Sequence, residues 1–169
     1  MKKLLIMIIS LLVLVGCTKE NYEIVLPKGI DIIAVGSEFV DKGCSVFNET
    51  EEFEMDVFSN SVDVNTLGTY HLIYKITVKG DTFTCARVVE VIDTTSPIVT
   101  LNPGIDTIVV NSIFVDASVG VSDNVDQSPT VTVISTVNSS EEGDYTVTYI
   151  VTDTSNNETV VVRNVHVIN

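Results

Sequence analysis

Alternation of apolar and polar residues predicts two long strands in this chain, at residues 69–78 and 144–152. In both segments a Tyr, a Leu or Val, a second Tyr and an Ile or Val occupy every second position. Because successive strand side chains point to opposite faces, this period of two places all of them on one buried face. A second alternating segment follows each strand after a turn at residues 79–81 or 155–157, so each pair predicts a β-hairpin.

The two hairpins belong to an internal repeat. Gly68 and Tyr70 recur 75 positions later as Gly143 and Tyr145. Further pairs at this offset are Gly29 and Gly104, Val35 and Val110, Phe39 and Phe114, Asp41 and Asp116, and, at an offset of 76 beyond the hairpin turn, Arg87 and Arg163. Self-similarity at a fixed period predicts two copies of one structural unit.

Short segments rich in Val, Ile and Thr precede each hairpin, for example at residues 61–64. With the hairpins they give six or seven strands per copy and no long helical period. We therefore predict an all-β fold of two tandem antiparallel β-sandwich domains, the first at residues 23–93 and the second at residues 98–169. Residues 94–97 form the linker, which Pro97 makes stiffer than a Gly/Ser chain.

Residues 1–16 have the features of a lipoprotein signal peptide. Two lysines precede an apolar run at residues 4–16, which is too short to cross a bilayer but suits the core of a signal peptide. The run ends in Leu-Val-Gly before Cys17, which resembles the lipobox of bacterial lipoproteins. That resemblance implies cleavage before Cys17, attachment of diacylglycerol and a further acyl group such as palmitate, and a tether at residues 17–22. The alternative is an ordinary secretion signal with an incidental cysteine.

The chain is strongly acidic, with a formal net charge of −14 that becomes −16 once Lys2 and Lys3 leave with the signal peptide. Such a balance repels phosphate backbones and anionic lipid surfaces. Nucleic acid is therefore excluded as a partner, and membrane attachment is expected to come from the lipid at Cys17. The predicted location is the extracytoplasmic face of the bacterial cell membrane.

Three segments of the second copy carry a family pattern. They are residues 93–101, residues 114–123, and the spaced run Gly-x-Tyr-x-Val-x-Tyr-x-Val-x-Asp-x-x-Asn-Asn of residues 143–157. These segments resemble the bacterial surface immunoglobulin-like repeat, a family also known from a pesticidal crystal protein. The resemblance implies immunoglobulin-like sandwiches displayed outside the cell as spacers or binding modules. The first copy departs from the pattern, because Val78 and Asn48 stand where it has Asp.

Cys44 and Cys85 both fall in the first domain, in a compartment where a disulfide can persist. Cys44 occupies a normally small inward position, and Cys85 is in phase with the inward residues Val89 and Val91. We expect them to form a disulfide, which stabilises such a domain by roughly 2 to 4 kcal/mol. The alternative is a pair of buried free thiols that act as small hydrophobic residues.

Aspartates near the strand ends of the second copy offer hard oxygen ligands for calcium. Asp123 and Asp126 share a loop, Asp93 lies near the linker, and Asp153 ends a hairpin strand. Their spacing matches no ordered calcium loop, and Asp is also an ordinary turn residue. Calcium is thus the one candidate cofactor, and solvated turn residues are the alternative.

Tyr70 and Tyr145 each follow a Gly by two residues at the start of a long strand. This position resembles the tyrosine corner of immunoglobulin-type sandwiches, whose hydroxyl bonds to upstream backbone. Tyr74 and Tyr149 share the inward phase, which leaves only Tyr22 free, in the tether. Since Trp is also absent, exposed aromatic platforms are missing and carbohydrate is disfavoured as a ligand.

The sequence shows no recognisable catalytic constellation. His71 and His166 are isolated and predicted to face solvent, and the chain has no nucleophile elbow or Cys/His ligand spacing. We therefore predict a non-enzymatic lipoprotein for protein interaction, adhesion or spacing, with a protein partner in the envelope or outside the cell. The alternative is a calcium-stiffened or ligand-binding accessory module, and an enzyme without known motifs ranks third.

Overall fold

The computed structural model describes residues 21–29 and 31–169. In these ranges the chain forms strands and turns, which confirms the predicted all-β class. None of these residues belongs to a helix long and apolar enough to cross a membrane. The predicted signal peptide and Cys17 lie outside the described residues.

The described residues separate into two compact units. We call the unit that ends at Ile92 domain 1 and the unit Asp93–Asn169 domain 2. The strands of domain 1 are β1 (Glu23–Val25), β2 (Ile32–Ala34), β3 (Ser45–Phe47), β4 (Glu52–Glu54), β5 (Asp56–Asn60), β6 (Gly68–Val78) and β7 (Asp81–Ile92). They form one sheet in the order β1-β3-β4 and a second in the order β2-β7-β6-β5.

Domain 2 repeats this plan with one strand fewer. Its strands are β8 (Ile98–Leu101), β9 (Thr107–Val109), β10 (Val119–Ser122), β11 (Thr130–Ser135), β12 (Gly143–Thr152) and β13 (Glu158–Ile168). They form the sheets β10-β8 and β11-β12-β13-β9. In each domain one pair, β2 with β7 or β9 with β13, is parallel and the other pairs are antiparallel. The long connection between the paired strands is what allows a parallel alignment.

The predicted period of two is present in both hairpins. Tyr74 and Tyr149 are fully buried at the centres of β6 and β12. They lie in the middle of apolar clusters to which both sheets contribute. The inward residues next to them are buried as well, namely Leu72, Val89 and Val91 in domain 1 and Val147, Val165 and Val167 in domain 2.

A buried arginine accompanies this apolar core in each domain. In domain 1 the guanidinium of Arg87 donates to Asp31 at 2.8 Å and to the carbonyl oxygens of Pro27 and Gly43 at 2.8 and 3.3 Å. Burial by itself lowers the pKa of this group, but its hydrogen bonds, first that with Asp31, outweigh burial and keep the pKa above its ordinary value. The charge stays on the arginine. Its Nη atoms are hydrogen-bonded, while its buried Nε makes no hydrogen bond and lies 3.8 Å from Oδ1 of Asp41.

Domain 2 contains the same network. Arg163 donates to Asp106 at 2.6 Å and to the carbonyl oxygens of Asn102 and Ser118 at 2.6 and 3.4 Å. The hydrogen bond with Asp106 is the main reason that the pKa of Arg163 is raised. Each arginine thus connects the long hairpin of its domain to the segments before and after the second strand, which is β2 in domain 1 and β9 in domain 2.

A tyrosine and an aspartate complete each network. The hydroxyl of Tyr74 donates to Asp41, and that of Tyr149 donates to Asp116. Burial, and then the neighbouring carboxylate, raise the pKa of both tyrosines above 10.0. Both phenols therefore stay protonated in the folded protein at neutral pH.

The arginines also explain a repeated glycine. A Cβ at Gly29 would lie 2.6 Å from Nη1 of Arg87. A Cβ at Gly104 would lie 2.8 Å from Cβ of Ala117 and 3.0 Å from Nη1 of Arg163. Only a residue without a side chain leaves room for the guanidinium at this place.

Two local features differ from the sequence-based expectation. Residues 61–64 were predicted as a strand, but residues 61–63 have no regular secondary structure and a turn begins at Val64. Asp63 accepts hydrogen bonds from the Asn65 amide and the Thr66 hydroxyl there, and such local bonds compete with a strand ladder. The segment predicted as a linker packs on domain 2, because Pro97 is buried and its carbonyl accepts a 2.6 Å hydrogen bond from Thr159.

Candidate functional site

Three aspartates converge at one end of domain 2. Asp93 precedes β8, Asp123 follows β10 and Asp153 follows β12. One carboxylate oxygen from each lies within 4.8 Å of the other two. Asp93 and Asp153 are only 7% and 6% exposed, so water reaches them poorly. We call these three residues the acidic cluster.

Asp123 is held by the turn that follows β10. Its Oδ1 atom accepts hydrogen bonds from the Asp126 amide at 2.8 Å and the Val125 amide at 3.0 Å. These bonds, first that from Asp126, lower the pKa of the Asp123 carboxyl. The side chain is therefore ionised and fixed in orientation by its own loop.

Asp93 and Asp153 are held by similar local bonds. Oδ1 of Asp93 accepts from the Thr95 amide at 3.0 Å and from the side chain of Asn124 at 3.4 Å. Asp153 accepts from the backbone and side-chain nitrogens of Asn157, both at 2.7 Å. These bonds, and those of the Asp123 turn, orient all three carboxylates.

Two carboxylate oxygens of the acidic cluster have no partner. Oδ2 of Asp93 and Oδ2 of Asp123 are buried and accept no hydrogen bond. None of the ion pairs found between described residues involves a member of the cluster. Buried polar atoms are normally satisfied, and unpaired buried charge is costly. The arrangement therefore lacks a positive group.

Asp126, the fourth aspartate proposed from the sequence, has a different position. Its Oδ1 atom accepts from the Ser128 amide at 2.8 Å and its Oδ2 atom from the Thr154 amide at 3.0 Å. Asp126 thereby joins the loop after β10 to the turn after β12. It supports the cluster without belonging to it.

Domain 1 keeps the turn but not the charge. At the position of Asp123, Asn48 accepts hydrogen bonds from the Glu51 and Thr50 amides at 2.8 and 2.9 Å. At the position of Asp153 stands the buried Val78. The acidic cluster is therefore a property of domain 2 among the described residues.

The edge strands form a second difference between the domains. Strand β11 lies at the edge of its sheet, and all six of its residues are exposed. It has no charged side chain and pairs with β12 in an unbroken register. Its apolar residues Val131, Val133 and Ile134 are 39%, 49% and 54% exposed.

Strand β5 takes the corresponding place in domain 1. All five of its residues are exposed as well, but it differs from β11 in charge and register. It begins with the charged Asp56, and its register with β6 shifts between Val57 and Ser59. The ring of Phe58 lies 5.1 Å from the ammonium group of Lys75. Charges and bulges are common ways to prevent an edge strand from pairing with another chain, and β11 has neither.

The structure joins Cys44 and Cys85 as a disulfide inside domain 1. Cys44 is buried and Cys85 lies on the inward face of β7. In the repeat alignment the corresponding residues of domain 2 are Val119 and Val161. The covalent link is thus specific to domain 1.

The first tyrosine of each long strand makes the bond expected of a tyrosine corner. The Tyr70 hydroxyl donates to the carbonyl oxygen of Thr66 at 2.7 Å, and the Tyr145 hydroxyl to that of Glu141 at 3.1 Å. Tyr22, which we expected to be free in the tether, instead packs against Phe83, with ring centroids 5.1 Å apart. The expectation for Tyr22 was wrong because a single aromatic residue outside the strand pattern gives no periodicity to interpret.

Comparison with known proteins identifies the two domains. The model of the family described as bacterial surface protein, Ig-like domain, matches residues 30–91 and residues 104–167. The chain belongs to the bacterial surface Ig-like family. This confirms the family and the two tandem copies predicted from the sequence, and it indicates display at the bacterial surface.

One solved structure is distantly similar to this bacterial surface Ig-like protein. The crystal structure of the lipoprotein BT2262 from Bacteroides thetaiotaomicron is similar at 17% sequence identity and a TM-score of 0.39. That match covers 83% of this chain and 77% of the other. Among curated proteins none matches the sequence.

Proposed function

We propose that this protein is a non-enzymatic lipoprotein of the bacterial envelope whose Ig-like domains bind a protein partner, with strand β11 as the contact. The observation that carries this proposal is the exposed, uncharged and regular edge of domain 2. An edge strand offers a row of unpaired backbone donors and acceptors, to which an extended segment of another protein can add as a further strand. Exposed Val and Ile side chains beside that row give the contact apolar area.

The family supports a binding or adhesive role rather than catalysis. Ig-like repeats occur in many proteins as presentation or spacing modules. The fold alone does not define an activity. One depression in the described part of domain 1 measures about 410 Å³ and is lined by aliphatic residues together with Ser37, Glu38 and Lys42. None of the hydrogen bonds found between described residues joins the Ser37 hydroxyl to Glu38 or Lys42, whereas an activated nucleophile is normally hydrogen-bonded to its base.

Attachment to the membrane is the second part of the proposal. The lipobox-like sequence before Cys17 supports lipidation of that residue. Two acyl signals anchor a protein stably, whereas one chain is marginal. With a strongly negative chain, the lipid and not surface charge holds the protein at the extracytoplasmic face of the membrane.

The test is partner capture by the full chain after crosslinking in the cells that make it. We compare the wild type with Ile134→Lys on β11 and with Ser59→Lys, which places the same charge at the equivalent position of β5. Both positions are exposed, so both variants should fold. We expect Ile134→Lys to reduce the captured partner about tenfold or more and Ser59→Lys to leave it unchanged.

Three outcomes would contradict the proposal. Equal capture by the wild type and Ile134→Lys would remove β11 as the contact. Capture of no protein at all would favour a pure spacer. Partition of Cys17→Ser into membranes to the same extent as the wild type would exclude the lipid anchor.

A further inference from the structure

The acidic cluster of domain 2 has the chemistry of a cation site. Three carboxylates meet within 4.8 Å, and no basic side chain among the described residues neutralises them. Asp93 is more than nine-tenths buried, and its Oδ2 atom has no hydrogen-bond partner. A solvated turn aspartate would turn such an atom towards water or a donor. Oδ2 of Asp123, in the same cluster, is likewise buried and has no hydrogen-bond partner.

We propose that Asp93, Asp123 and Asp153 bind one calcium ion in domain 2. Calcium takes oxygen ligands at about 2.3 to 2.6 Å, so two ligands on opposite sides of the ion are about 4.6 to 5.2 Å apart. The three carboxylate oxygens lie within 4.8 Å of one another, which is close enough for all of them to reach one ion. Calcium accepts a flexible set of carboxylate ligands, whereas magnesium demands near-ideal octahedral geometry and usually keeps several waters. The cluster contains no histidine or cysteine, which softer metals prefer.

The turns leave the ligand atoms available. In Asp93 and Asp123, backbone amides hold the Oδ1 atoms and leave Oδ2 for the ion. The Asn157 side chain sets the orientation of Asp153. A site with ligands fixed in advance loses little conformational entropy when the ion binds. The ion would join three segments, before β8, after β10 and after β12, which hydrogen bonds already connect.

Domain 1 supplies an internal reference for this site. Asn48 makes the same turn as Asp123 without the charge, and Val78 replaces Asp153. Calcium should therefore bind once per chain. Asp123→Asn should keep the fold, because the natural asparagine in domain 1 already accepts the equivalent amides.

The experiment titrates calcium chloride into the full chain, purified in a mild detergent and stripped with a chelator. Isothermal titration calorimetry should give one site with a Kd of about 10⁻⁴ to 10⁻³ M, the range of extracellular calcium modules. Saturating calcium should raise the unfolding temperature of domain 2 by on the order of 5 °C, and magnesium should raise it less. Hydrogen exchange should slow in the three loops of the cluster and stay unchanged in the loop that contains Asn48.

Matched variants decide the assignment. Asp123→Asn should weaken calcium binding about tenfold or more and, without calcium, should melt at or above the wild-type temperature because like charges are removed. Asp144→Asn, a change of an exposed carboxylate elsewhere in domain 2, should bind as the wild type does. The proposal is overturned by any of four results: no binding to the wild type at millimolar calcium, two sites per chain, tighter binding of magnesium, or unchanged binding by Asp123→Asn. Partner capture does not enter this test, so its result is independent of the proposed function.

Discussion

Domain 1 and domain 2 share a buried hydrogen-bond network but differ in two features, a disulfide and an acidic cluster. Both contain a buried arginine, its aspartate partners and a tyrosine corner at equivalent positions. Domain 1 adds a disulfide between Cys44 and Cys85, where domain 2 has valines. Domain 2 adds the acidic cluster, where domain 1 has asparagine and valine. The buried network therefore lies at positions that repeat, whereas the disulfide and the acidic cluster lie at positions that do not.

The largest expected effect comes from removing the buried arginine, which both domains contain. Arg87→Met or Arg163→Met removes a buried cation and leaves carboxylates and carbonyls without their donor. We expect each change to lower the unfolding free energy of its own domain by about 3 to 5 kcal/mol. Urea unfolding followed by hydrogen exchange of each domain measures the loss. A cost below about 1 kcal/mol in either domain would show that the apolar core, and not the arginine, holds the sandwich.

The second largest effect is expected in domain 1 alone, and it comes from removing the disulfide. The double change Cys44→Val and Cys85→Val gives domain 1 the residue pair that domain 2 uses. We expect a loss of roughly 2 to 4 kcal/mol in domain 1, because the unfolded chain is no longer crosslinked, and no change in domain 2. Reduction of the wild type with dithiothreitol should reproduce the loss, while reduction of the double variant should do nothing. A loss shared by both domains would contradict this prediction.

The smallest effect is common to both domains and appears at alkaline pH. The pKa of Tyr74 and of Tyr149 is raised above 10.0 in the folded state, so folding keeps a proton that the unfolded chain releases. This contribution is fully present below pH 10.0 and is lost as the pH rises through the folded-state pKa.

In that window the unfolding free energy should fall as the pH rises, by at most about 1.4 kcal/mol per pH unit for each tyrosine. Tyr74→Phe should reduce the slope of domain 1, and Tyr149→Phe that of domain 2. Denaturant unfolding between neutral and alkaline pH measures it. A slope that both variants leave intact would assign the alkaline loss to other groups.

Much of the fold could be predicted because strand periodicity is a local signal. The alternation in β6 and β12 identified the buried tyrosines, and the repeat offset identified the two domains. The burial of Arg87 was not predicted, although the sequence contains a signal for it. Arg87 shares the inward phase of Val89 and Val91, and it recurs in the second copy as Arg163, which indicates a buried ion pair. The signal is easily overlooked because arginine is mostly exposed in proteins.

The candidate site was harder to predict than the fold. Asp93, Asp123 and Asp153 lie in three separate loops, and their approach depends on how β8, β10 and β12 end at the same side of domain 2. No sequence spacing encodes that convergence, and Asp126, which looks equivalent in the sequence, is occupied by backbone amides. The exposure of β11 was missed for a similar reason. Its position at the sheet edge follows from strand order, which residue patterns do not specify.

The glycine beside each arginine has a consequence for anyone who rebuilds this module. At Gly29 and Gly104 the space of a single methyl group is already taken, in the first case by a guanidinium nitrogen 2.6 Å away. Substitution of either glycine alone would displace the arginine, and substitution of the arginine alone would leave a void above the glycine. Designed arrays of this repeat must therefore keep both residues or exchange the two together, and at Gly104 an exchange must also make room beside Ala117, whose Cβ would lie 2.8 Å from the added methyl group.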